Sequence, residues 1–136
     1  MVQFYFLSVV FNFTAGYALL VAKREPKGIK LDGLVELIKD PVLRLILGVL
    51  CATIGFLKLL TVMRPDYAII GDFLPSVVGM VAGFTLLLEF YRNNTTVTTD
   101  LLEKLDHIFI VNSRWVGIAS IVIAVLHFLF PSLILL

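Results

Sequence analysis

Residues 2–22 read VQFYFLSVVFNFTAGYALLVA, 21 positions without a formal charge. A helix rises about 1.5 Å per residue, so roughly 20 apolar residues cross a hydrocarbon core of about 30 Å. The stretch meets that length, and Lys23-Arg24-Glu25-Pro26 ends it. Three further runs have the same character, at about 45–63, 72–89 and 115–136, with Arg44 before the second and Arg114-Trp115 as interfacial anchors before the last.

The whole chain agrees with this local reading. Its 136 residues are 60% hydrophobic and 15% charged, with a mean hydropathy of +1.01, whereas soluble domains run at about 45–50% apolar and about 25% charged. In water so much apolar surface would form large exposed patches; in lipid it is at home. Backbone polar groups in hydrocarbon must be satisfied internally, which leaves helices or a closed barrel, and continuous apolar runs select helices over period-two strands. The expectation is an all-α membrane protein, one transmembrane domain over residues 1–136 with four spans. The start, MVQFYFLSVV, has no positive region ahead of its apolar run, so no cleaved signal peptide is expected.

Between spans one and two, residues 28–40 place Leu31, Leu34, Val35 and Ile38 on one helical face and Asp32, Glu36 and Lys39 on the other. Between spans three and four, Leu101, Leu102, Leu105 and Ile108 repeat the pattern, with Asp100 and Glu103 at capping-box spacing. Both segments read as short interfacial helices. Pro41 suits the first turn of the second span and Pro75 that of the third, where Asp72 is the expected N-cap.

The halves resemble one another. Residues 6–20 laid on 73–87 match Phe6 with Phe73, Leu7 with Leu74, Val10 with Val77, Ala15-Gly16 with Ala82-Gly83 and Leu19-Leu20 with Leu86-Leu87, seven identities in fifteen positions. With two more residues allowed in the second loop, Gly48 falls on Gly117, Ile54 on Ile123, Leu57 on Leu126 and Lys58 on His127. The chain therefore reads as two parallel-repeat hairpins, about 1–67 and 68–136, related by a pseudo-twofold axis along the membrane normal.

Loop charge sets orientation. The first long loop and its flanks carry Lys23, Arg24, Lys27, Lys30, Lys39 and Arg44, the second carries Arg92, Lys104 and Arg114, and the central link only Arg64. Both long loops are expected in the cytoplasm and both termini outside, in a plasma or inner membrane.

Ionisable groups inside a span mark candidate sites. Lys58 lies roughly 20 Å and His127 about 18 Å from the inner ends of their helices, with Gln3 and Asp72 the nearest polar residues in depth. One reading joins Gln3, Lys58, Asp72 and His127 in an outward-opening ligand or proton site, Lys58 pairing with Asp72. The competing reading has Lys58 snorkelling to the outer interface, Asp72 capping its helix and His127 bonding a neighbour. Asn12, Thr14 and Thr53, with Gly79, fall near the midplane and read as helix-packing groups or the lining of a narrow path. At the inner side Glu89 lies level with Arg44 and Arg114, and an ion pair with one of them would neutralise it. The single cysteine, Cys51, excludes an internal disulfide and reads as a small packing residue.

H-E-x-x-H, G-x-S-x-G, a P-loop and a cysteine pair are all missing, so no catalytic residue, cofactor or metal is expected. A net charge of +1 offers no global attraction to nucleic acid. The expected partners are the lipid bilayer and a membrane protein or a second copy of the chain. The leading functional expectation is an interaction subunit or homo-oligomeric module of a membrane complex. The alternatives are a small-solute or ion channel or transporter, and a membrane enzyme acting on lipid.

Overall fold

The computed structural model describes residues 2–23, 32–62 and 73–130. Within them the secondary structure is entirely helical: α1 (Val2–Lys23), α2 (Asp32–Lys39), α3 (Pro41–Val62), α4 (Phe73–Asn94), α5 (Asp100–Leu105) continued by a π-helical segment (Asp106–Ile110), and α6 (Ser113–Leu129). Three helices are long and apolar enough to cross a membrane, over Gln3–Ala22, Pro41–Leu60 and Phe73–Asn94. The fourth expected span differs. Asp100–Ile110 and Ser113–Leu129 form a pair bent by 47°, which gives up to four spans if the pair counts as one.

Local chemistry explains most boundaries. Asp40 caps α3, its Oδ1 accepting from the backbone N–H of Val42 at 2.7 Å and of Leu43 at 3.1 Å, and Pro41 takes the first turn where no N–H is needed. The helix α4 runs beyond the expected span end near Glu89 to Asn94; glutamate and arginine are good helix formers, and both are paired here, Glu89 with Arg44 and Arg92 with Asp106. The expected capping box at Asp100 is not formed: Thr99 is the N-cap, without a side-chain cap bond, and Asp100 is the first helical residue.

The interior is inverted relative to a water-soluble bundle. Ser8, Asn12, Ser76, Thr85, Ser113 and Ser120 are buried with Ala15, Ala18 and Ala82, while Phe4, Phe6, Phe13, Phe56, Trp115 and Phe128 are exposed. Small residues let helices approach where lipid, not water, surrounds them, and large apolar side chains then face outward.

Packing is closest between α3 and α4 and between α1 and α6; α1 also meets α3 and α4, and α4 also meets α6. Among the described residues α3 and α6 make no close backbone contact. Glycines set both tight crossings. A Cβ on Gly16 would lie 2.6 Å from the Gly117 carbonyl oxygen, and one on Gly83 would lie 2.7 Å from the Gly48 carbonyl oxygen and 2.5 Å from the Ala52 nitrogen. Helix α2 turns Ile38 inward, between α1 and α3.

Candidate functional site

The apolar spans bring their two conspicuous bases into contact. Lys58 of α3 and His127 of α6 are 3% and 2% exposed, and Lys58 Nζ lies 3.4 Å from His127 Nε2. The head of Lys58 is thus inside the bundle and does not snorkel along a lipid-facing surface. Tyr5 of α1 completes the cluster. Its hydroxyl donates to the His127 carbonyl at 2.5 Å, its ring lies 4.6 Å from the imidazole at 52°, and Lys58 Nζ stands 5.9 Å from its centroid. That distance is within cation–π range.

Tyr5 was not among the residues singled out from sequence. A tyrosine one turn inside a span does carry a signal, since its hydroxyl needs a partner away from water. Gln3 is exposed. Asp72, expected as the partner of Lys58, lies outside the described residues.

Near the middle of the bundle Asn12 is buried, and its Nδ2 donates to the Pro75 carbonyl at 3.0 Å, tying α1 to α4. Cys51 Sγ is 3.3 Å from the Gly79 carbonyl oxygen and 3.6 Å from Asn12 Oδ1, a buried packing position. Thr14 and Thr53 turn their hydroxyls back onto their own helices, to the carbonyls of Val10 at 2.6 Å and Val49 at 2.7 Å.

At the opposite end Glu89 pairs with Arg44, not with Arg114, which is exposed. The Arg44 and Glu89 side chains are only 14% and 12% exposed. A second pair, Arg92 Nε with Asp106 Oδ2 at 2.5 Å, joins α4 to the π-helical segment. The two pairs, with Glu103 and His107, line an open cleft of about 650 Å³. Asp106, which had no role in the sequence reading, opens the π-helical segment. Among the described residues no three His, Cys, Asp or Glu side chains converge to hold a metal ion.

Fold and site define a class: an all-helical protein with three helices long and apolar enough to cross a membrane, and with a lysine and a histidine in contact inside it. The chain belongs to a protein family whose model matches residues 1–127. No curated protein and no solved structure matches it.

Proposed function

We propose that the protein is a small four-span integral membrane module built from two parallel-repeat hairpins, and that it works by interaction, as a subunit or homo-oligomer of a membrane complex. The observation that carries this reading is the close approach within its two helix pairs. The crossings at Gly16 with Gly117 and at Gly48 with Gly83 leave no room for a methyl group. Helix pairs packed so closely offer their outer faces as working surface.

The glycine contacts also support the repeat. A Cβ on Gly117 would meet Gly16, Leu19 and Leu20; one on Gly48 would meet Gly83, Leu86 and Leu87. These are the residues that the internal alignment equates. The packing order follows the same symmetry, α3 on α4 matching α6 on α1. In this reading the bent pair is the second interfacial helix followed by the fourth span, both long loops are cytoplasmic, and no catalysis is assigned.

Purification from native membrane in mild detergent tests the proposal. A stoichiometric partner or a defined homo-oligomer is expected; a monodisperse monomer without a partner would count against it. A second reading, transport of a small solute or ion, is favoured by one observation, the buried contact of Lys58 with His127. Flux into liposomes that Lys58→Gln abolishes would move the assignment to transport.

A further inference from the structure

We infer that the cleft at the end of the bundle opposite Lys58 and His127 binds a phosphoethanolamine group, carried by a membrane lipid or free in solution. The inference is independent of the interaction reading. The cleft holds about 650 Å³, inside the range of roughly 300–1,000 Å³ for small-molecule sites. Arg44, Glu89, Arg92, Glu103, Asp106 and His107 stand in its wall. Because Glu89 and Arg92 belong to the last turns of α4, where that apolar span ends, the cleft sits at the depth of lipid headgroups.

The wall presents charge of both signs, two arginines against three carboxylates, which suits a zwitterion better than a bare anion or a bare cation. A guanidinium has five N–H donors, more than one carboxylate can take, so Arg44 and Arg92 keep donors beyond those given to Glu89 and Asp106. Acceptors are left over too. Oδ2 of Asp106 meets Arg92 Nε, whereas its Oδ1 is buried and has no hydrogen-bond partner among the described residues, a costly state for an acceptor. Glu103 adds an exposed carboxylate to the same wall.

A fitting ligand therefore brings an oxyanion to the arginines and a cationic N–H donor to Asp106. Phosphate oxygens match the planar guanidinium fork, and a primary ammonium has three donors and no acceptor. At headgroup depth phosphoethanolamine supplies both. The terminal torsion of an aspartate is broad, so a turn of the carboxylate presents Oδ1 to the cleft. Phosphocholine has the same two charges but no N–H, and it leaves Oδ1 as it was.

The full chain in nanodiscs of equal parts phosphatidylethanolamine and phosphatidylcholine tests the lipid source. Lipid retained on the protein, counted by native mass spectrometry, should favour phosphatidylethanolamine about tenfold, the factor for one charge-assisted hydrogen bond. In nanodiscs of phosphatidylcholine alone, added phosphoethanolamine should shift the Arg92 Nε–H resonance saturably; that shift without a lipid preference assigns the free source. Asp106→Asn should remove the preference or the shift, and Glu103→Gln, at an exposed position, should weaken it severalfold. Equal retention of both lipids with no shift overturns the proposal, as does a preference or shift that survives both substitutions. Should Asp106→Asn fail to fold, a signal unchanged in Glu103→Gln overturns it.

Discussion

Asn12 of α1 occupies the space that a side chain at position 79 of α4 would need: a Cβ on Gly79 would lie 2.5 Å from Asn12 Oδ1. In the proposed repeat these two positions are equivalent and meet at the pseudo-twofold axis. Two asparagines there would collide and two glycines would leave a void, whereas one of each fills the crossing. The Asn12 amide also donates to Pro75, so the crossing is a hydrogen bond as well as a fit.

Gly79→Ala is therefore expected to lower stability by about 1–3 kcal/mol, the usual cost of overpacking. Combined with Asn12→Ala it should cost less than the sum of the single changes, since the clash is gone. Melting temperatures of the three variants in one detergent check this. Additive effects would mean that the two residues do not meet.

Two other glycines should respond with opposite signs. A methyl at Gly83 runs into backbone of α3 at Ala52 and Gly48, which cannot move aside as a flexible side chain can. Gly83→Ala should thus destabilise by at least about 1–3 kcal/mol. Around Gly33, exposed in α2, an added Cβ meets nothing within 4 Å. Gly33→Ala should stabilise by about 0.5–1 kcal/mol through helix propensity alone. Equal responses at the two sites would contradict the crossing geometry.

Removing one member of the Arg44–Glu89 pair takes a charge partner from a side chain that is largely buried. Arg44→Met is expected to cost up to about 3–5 kcal/mol. Adding Glu89→Gln to Arg44→Met should restore much of the loss. Thermal unfolding of the single and double variants gives the coupling; a double variant no better than the single would show that the pair contributes nothing specific.

The proposed orientation puts position 94 in the cytoplasm and position 3 outside. Both side chains are exposed in the bundle. In a Cys51→Ser background, an impermeant thiol reagent on intact cells should label Gln3→Cys and spare Asn94→Cys. The reverse pattern would invert the topology.

Length and hydropathy of residues 2–22 were enough to read a spanning helix, because both are local sums that need no knowledge of neighbours. The same reading ended the third span near Glu89, and only the fold shows that Glu89 and Arg92 pair with Arg44 and Asp106 of other helical segments. The internal alignment equated Lys58 with His127, yet only the folded chain brings Nζ to Nε2 and places Tyr5, 122 residues before His127 in sequence, against both. Thr14, Thr53 and Asn12 looked alike by depth and polarity. The direction in which each side chain points made two of them local bonds and the third a link between helices. What the sequence by itself determined is the solvent the helices were built for and their approximate extents. Which faces close on each other, which charge neutralises which, and the π-helical bend before α6 depend on contacts between segments distant in the chain, and only the tertiary structure decided them.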